Sequence, residues 1–180
     1  MRLYFLRHAH ALAHADWQGE EAARPLTDKG RGQAEGAAKG LATLRPGFEA
    51  IISSPYIRAY ETAVIVGRVT GLPVATDDDL TPGFDLSRLD HVLSLRPEAD
   101  GIVLVGHEPD LSQLARELVS PAGESPVKVE LAKASCCLVV TPADVPGGAS
   151  AAELKGRCSL AWIRSWRELE ALASGAPPAE

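Results

Sequence analysis

The chain is poor in several features that would otherwise narrow its class. Its 180 residues include three cysteines, Cys136, Cys137 and Cys158, and no Cys-x-x-Cys pair. Small buried thiols are therefore expected, in place of a redox or zinc role. Cys136 and Cys137 are adjacent on an expected strand, so their side chains point to opposite faces. No apolar run approaches the ~20 residues that a bilayer span requires. Positive charge is also in deficit, with 18 Lys and Arg against 24 Asp and Glu and a net charge of -6. That balance speaks against a general polyanion-binding surface, nucleic acid included. The first strand starts almost at once, leaving no room for a cleavable secretion signal, and a cytoplasmic protein is expected. Neither internal repeats nor a long linker divides the chain, so residues 1–180 are expected to form one domain. Gly30-Arg31-Gly32 does not follow a strand, which removes a dinucleotide-binding fingerprint.

What the chain does have is an apolar run that ends abruptly in charge. Leu3-Tyr4-Phe5-Leu6 is followed by Arg7-His8-Ala9-His10. An uninterrupted run of this kind suits a strand buried on both faces. Ile102-Val103-Leu104-Val105 repeats the pattern and closes in Gly106-His107-Glu108-Pro109-Asp110. A third segment, Ala50 to Arg58, brings an arginine into the first turn of a helix, with Ser54 as the expected N-cap and Pro55 as the first helical residue. In open α/β sheets ligands bind outside the carboxyl ends of the strands. Two histidines, two arginines and a helix start gathered there would hold a tetrahedral anion.

The remaining elements alternate. Thr27 caps a helix from Asp28 to about Leu44, ended by Arg45-Pro46-Gly47; glycines at 30, 32, 36 and 40 suggest close packing on the sheet. A helix to about Thr70, a short strand at Val74-Ala75 and a helix over Leu86–Leu95 follow, with Arg96-Pro97 as the stop. Asp77-Asp78-Asp79 reads as a solvated loop. Pro109 opens a helix with Leu111, Leu114, Ala115 and Leu118 on one face. Ala134–Thr141 is an expected strand, and Ala152–Cys158 is expected to pair back on it as a hairpin. Ser159 is read as the cap of a final helix at about 160–173, with a frayed tail from Ser174. The pattern predicts an α/β, doubly wound, mostly parallel sheet flanked by helices.

At these residues the chain resembles the histidine phosphatase superfamily, which includes the cofactor-dependent phosphoglycerate mutases. Arg7-His8-Ala9 looks like its Arg-His-Gly signature. The similarity continues through Arg24-Pro25-Leu26-Thr27-Asp28-Lys29-Gly30, Ser53 to Ala63, and Gly106-His107. Leu80-Thr81-Pro82-Gly83 and Gly106 to Leu111 point to the small phosphohistidine phosphatase branch. The resemblance covers roughly the first 140 residues in order. It implies a phosphoglycerate mutase-like fold and metal-free catalysis with no cofactor.

By that resemblance His8 is a nucleophile toward phosphorus, its other ring nitrogen held to fix the reactive tautomer. Arg7 and Arg58 would clamp the phosphoryl oxygens, and His107, best protonated, would donate to them. Arg24 is a candidate further phosphate contact or a plain surface arginine. His8, His10 and His14 match no metal-ligand spacing. Ala9 in place of the signature glycine adds one methyl group and is expected to be harmless. No residue is an obvious acid for the leaving oxygen; Glu108 and Asp85 are the candidates. A phosphohistidine substrate needs little such help, because its leaving imidazole can carry its own proton. The expected substrate is therefore a phosphorylated protein bearing phosphohistidine, acted on by a monomer. A general small-molecule phosphomonoesterase and a non-catalytic phosphate-binding module are the alternatives.

Overall fold

The computed structural model describes residues 1–44, 47–96, 98–145 and 148–175. Six strands form one sheet in the order β3-β2-β4-β1-β5-β6. They are β1 (Arg2–Arg7), β2 (Ala50–Ser53), β3 (Val74–Thr76), β4 (Gly101–Gly106), β5 (Cys136–Val140) and β6 (Ser159–Arg164). The first four are mutually parallel where they pair, whereas β5 and β6 run antiparallel. Among the described residues six α-helices accompany them: α1 (Asp28–Thr43), α2 (Ile57–Thr70), α3 (Leu86–Ser94), α4 (Asp110–Val119), α5 (Ala151–Leu154) and α6 (Trp166–Ser174).

The continuous apolar runs are buried on both faces, as their composition requires. Leu3, Phe5, Ile102 and Leu104 meet α3, α4 and α5; Tyr4, Leu6, Val103 and Val105 meet α1, α2 and α6. Cys137 and Cys136 divide between these two cores, and Cys158 joins the first. All three thiols are buried and free.

The connection after β1 enters α1 on one face, while the connection after β4 enters α4 on the other. β1 and β4 are neighbours, with Arg7 opposite Gly106. Their carboxyl ends therefore flank the crevice that such a change of face opens, the usual place for a ligand in an open α/β sheet.

Several local expectations need correction. α2 begins at Ile57, so Ser54 and Pro55 precede it, and the first backbone N–H held by the Ser54 hydroxyl is that of Tyr56, at 3.3 Å. Residues 151–158 do not pair with β5. They form α5 and a turn whose backbone N–H groups at Gly156 and Cys158 reach the Glu117 and Leu118 carbonyls. The partner of β5 is Ser159–Arg164, where the sequence reading began the last helix. That helix starts instead at Trp166, capped by Ser165, and Gly175 closes it. The signal was the Ser165-x-x-Glu168 capping box, matched by Ser150-x-x-Glu153 at α5.

The glycines of α1 also serve a different neighbour. A Cβ at Gly36 would lie 3.2 Å from Trp166 and Glu170 atoms, and one at Gly40 would strike the Leu169 backbone. Their partner is α6, not the sheet; Gly30 lies against the His10 backbone, and Gly32 faces open space. Asp77-Asp78-Asp79 lies at a 3-10 turn over Asp78–Leu80, where Asp77 caps the turn and Asp79 meets His91. Arg45-Pro46, Pro97 and the tail beyond Gly175 fall outside the described residues. Among the described residues no helix is long and apolar enough to cross a membrane.

Candidate active site

Three strand ends converge because their backbones are tied together. The His8 N–H donates to the Gly106 carbonyl at 3.0 Å, and the Ser54 N–H donates to the Val105 carbonyl at 2.9 Å. His8 and His107 thus leave adjacent strands side by side, their ring centroids 5.4 Å apart. Arg58, in the first turn of α2, lies between them. Its Nε donates to His8 Nε2 at 3.3 Å and its Nη2 to His107 Nδ1 at 3.4 Å. Arg7 completes the group from the end of β1, with Nη1 donating to the Leu131 carbonyl at 2.8 Å. Arg7 Nε is buried with no hydrogen-bond partner among the described residues. A buried donor of this kind is costly unless a ligand oxygen reaches it.

The turn after His8 is fixed from both sides. The Ala9 N–H donates to Thr62 Oγ1 at 3.1 Å, while that hydroxyl donates to the Arg58 carbonyl at 2.7 Å. Ala9 is fully buried, so the methyl that replaces the signature glycine's hydrogen sits in the core. Behind the same turn Ala134 adopts a left-handed conformation (φ 57°), which lets its N–H reach the His8 carbonyl at 3.3 Å.

The hydrogen bonds set the two imidazoles in different states. His8 Nδ1 lies 2.7 Å from the Ala9 carbonyl, an acceptor, so Nδ1 carries the proton and Nε2 keeps its lone pair. Burial drives the His8 pKa down to about 3, with His107, Arg58 and Arg7 adding to the effect against the Ala9 bond. The ring is neutral near pH 7. His107 accepts from Arg58 at Nδ1, which directs its Nε2–H to the Ser54 hydroxyl at 2.9 Å. Burial and then Arg58 lower its pKa to about 4. Burial and Arg58 thus favour the neutral His107 ring, whereas a bound phosphoryl dianion acts in the opposite direction, toward the protonated ring expected from sequence in the transition state.

The other candidates fall into different surroundings. Glu108 is half-buried, and its Oε1 accepts from the Ser112 N–H at 3.2 Å. Burial raises its pKa against the opposing pull of the Ser112 bond and Arg7. Asp85 is exposed and caps α3 through the Arg88 N–H at 3.0 Å. Arg24 grips Glu21, with Nη2–Oε1 at 2.7 Å, and also donates to the Leu12 carbonyl. His10 Nδ1 pairs with Thr27 Oγ1 at 2.9 Å and exposed His14 with Glu21 at 3.3 Å, so the three early histidines have separate partners. Among the described residues the side chains whose ligand atoms do approach one another are Asp77, Asp79 and His91.

Sequence reasoning missed Glu21, Ser54 as the partner of the His107 ring, and Tyr56. The Tyr56 ring stands edge-on to His107 at 5.1 Å, with the Arg58 guanidinium 4.9 Å above it. Tyr56 and Ser54 lie in the quoted Ser53–Ala63 stretch, where their nearness to Arg58 was the available clue. Glu21 had none, because the loop that delivers it has no regular pattern.

Comparison with known proteins agrees with this geometry. Residues 3–81 match the histidine phosphatase superfamily (branch 1). A protein of Picosynechococcus sp. is 37% identical over 123 residues, 66% of this chain and 73% of that one. The phosphohistidine phosphatase SixA of Escherichia coli K12 is 31% identical over 130 residues, 70% of this chain and 78% of that one. The structure of protein histidine phosphatase SixA complexed with tungstate superposes with a TM-score of 0.72 and 23% identity, over 92% of this chain and 97% of that one.

Proposed function

Because this chain belongs to the histidine phosphatase superfamily, we propose that it removes phosphate from phosphohistidine on a protein, by way of a phosphorylated His8. The observation that carries the reading is the 2.7 Å contact of His8 Nδ1 with the Ala9 carbonyl. That Nδ1–H is committed to the Ala9 carbonyl, so the Nε2 lone pair faces Arg58 in a ring that stays neutral. A neutral imidazole attacks phosphorus well, and its low pKa keeps the competing proton away.

In the first step a bond forms between His8 Nε2 and phosphorus as the bond to the substrate's imidazole nitrogen breaks. Arg7 and Arg58 hold the equatorial oxygens, where planar forks and permanent charge match the spreading negative charge. His107 takes up a proton as that charge arrives and donates to the same oxygens. In the second step water attacks phosphorus, His8 Nε2 leaves with its lone pair, and the water's protons depart on the released dihydrogen phosphate. Two arginines and an imidazole supply the required charge, so the mechanism uses no metal and no cofactor. The reading takes the enzyme as a cytoplasmic monomer that acts on a phosphorylated protein, with no nucleic acid or membrane partner.

The substrate assignment draws support from the relative named for phosphohistidine. One observation favours a second reading. Glu108, its pKa raised by burial, could protonate the oxygen of an ester, which suits a small phosphomonoester. The deciding measurement is kcat/KM for a phosphohistidine protein against phosphoserine, phosphotyrosine and glycolytic phosphates at one pH and salt. Phosphohistidine is expected to win by at least about tenfold, or ~1.4 kcal/mol. Glu108→Gln should leave that substrate largely untouched while slowing esters. Faster turnover of a metabolite ester replaces the first reading with the second.

A further inference from the structure

We propose that Glu21 is a positioning residue: it holds the Arg58 guanidinium from behind and so aims the opposite edge at the transferring phosphoryl group. The proposal rests on the phosphatase reading above. The guanidinium is planar and its donors are fixed in direction. The edge formed by Nε and Nη2 faces His8 and His107, at 3.3 and 3.4 Å. Nη1 turns toward residue 21, whose backbone carbonyl accepts at 3.0 Å and whose Oε1 lies at 3.2 Å. With Nη1 held, the direction of the working edge is set before substrate arrives. Preorganisation of this kind is felt most where charge develops, in the transition state.

Glu21 is itself held. Arg24 Nε reaches both carboxylate oxygens, at 3.2 and 3.0 Å, and Arg24 Nη2 reaches Oε1 at 2.7 Å. Arg24 Nη1 is spent on the Leu12 carbonyl. Leu12 in turn is tied to the returning strand of the loop, its N–H donating to the Pro25 carbonyl at 3.1 Å. A continuous series of contacts thus runs from the loop backbone through Arg24 and Glu21 to Arg58. Arg24, a candidate phosphate contact in the sequence, is assigned here as the anchor of Glu21. The hydrogen bonds from Arg24 also hold the Glu21 carboxyl ionised, its pKa down at about 2.

A carboxylate beside a phosphate pocket repels phosphate, so two roles for Glu21 predict opposite results. A competing anion would be better removed; a positioning group would be missed. The test compares Glu21→Ala, Glu21→Gln, Arg24→Ala and the Glu21→Ala/Arg24→Ala double variant on p-nitrophenyl phosphate, with vanadate inhibition and circular dichroism melting alongside. Glu21→Ala should lower kcat by about tenfold with little change in KM. Glu21→Gln, which retains an acceptor oxygen, should recover most of the loss. Arg24→Ala should resemble Glu21→Ala, and the double variant should be no worse than either single one. Tighter vanadate binding with higher kcat/KM in Glu21→Ala overturns the proposal, as does an additive loss from Arg24→Ala. A melting temperature that falls in step with activity in both Glu21 variants also overturns it. A Glu21→Ala variant as active as the wild type removes this proposal alone, whereas a wild type inactive on both p-nitrophenyl phosphate and a phosphohistidine protein brings down the phosphatase reading with it.

Discussion

The carboxyl ends of β1 and β4 are near twins that the structure makes unequal. Each delivers a histidine one residue past the paired Arg7 and Gly106, and the two rings are 8% and 5% exposed. The difference lies in what stands behind each ring. His8 Nδ1 meets a backbone carbonyl, which can only accept, so its proton is pinned and Nε2 stays bare. His107 Nε2 meets the Ser54 hydroxyl, which can donate or accept, and Nδ1 meets only donors on Arg58. A carbonyl fixes which nitrogen holds the proton of the neutral ring, and a hydroxyl leaves that choice open. The first suits a nucleophile, and the second suits a group that gains a proton when phosphoryl oxygens arrive between it and Arg58.

The sharpest way to break this contrast is to remove the pinned ring. His8→Ala should abolish turnover without loss of fold, because the ring lines the pocket and its backbone bonds remain. In the wild type, rapid quench with labelled substrate should trap acid-labile, base-stable phosphate on His8. Full activity in His8→Ala would sink the assignment. Next in size, Arg7→Ala, Arg58→Ala and His107→Ala should each cost on the order of 10²-fold or more in rate. Combined losses should fall short of the product, because the three groups act on the same oxygens. Simple multiplication in a double variant would show that they act separately. Activity should survive a chelator, and rescue of a chelated enzyme by one divalent metal would overturn the metal-free step.

Smaller effects probe the support rather than the ring. Ser54→Ala removes the acceptor of the His107 Nε2–H and should slow turnover by about tenfold, the worth of one hydrogen bond. It should also move the alkaline limb of the kcat–pH profile to lower pH, since the hydroxyl favours the protonated ring. An unmoved limb would assign that limb to another group. Smallest is a stability effect. Both rings have folded pKa values, about 3 and 4, below the ordinary 6.5. The unfolded chain therefore binds protons first as pH falls. The stability these rings contribute is complete above pH 6.5 and erodes from there toward pH 4 for His107 and pH 3 for His8. Calorimetry should find a melting temperature that drops between pH 7 and pH 5, and drops less in His107→Ala.

Much of this arrangement could be read from the chain because its informative residues end buried strands. Leu3–Leu6 and Ile102–Val105 declare themselves by unbroken apolar composition, and the residues that follow them must emerge at one edge. Arg58 was legible from its place near a helix start, although the start itself falls two residues later than Pro55 suggests. The carboxyl-terminal third was harder. Ser159–Arg164 carries Leu160, Ile163 and Arg164 at spacings a helix would also accept, and only pairing with β5 makes it a strand. Glu21 was invisible for a different reason. Its partners Arg24 and Arg58 are 3 and 37 positions away, and no period connects them.

The glycine-lined contact between α1 and α6 bears on how the protein is made. Leu169 is fully buried against Ala34, Ala37, Ala38 and Leu41 of α1, close enough that Gly40 has no room for a side chain. During synthesis α6 follows every other described element, so the nascent chain carries an uncovered glycine and alanine surface on α1 until residues 166–174 emerge. α1 also ties down the pocket loop at its first turn, where Thr27 holds both the His10 ring and the His10 carbonyl. Translation must therefore pass residue 174 before this pocket has its full buttress, and a ribosome stalled before Trp166 would present a half-sealed sheet to chaperones.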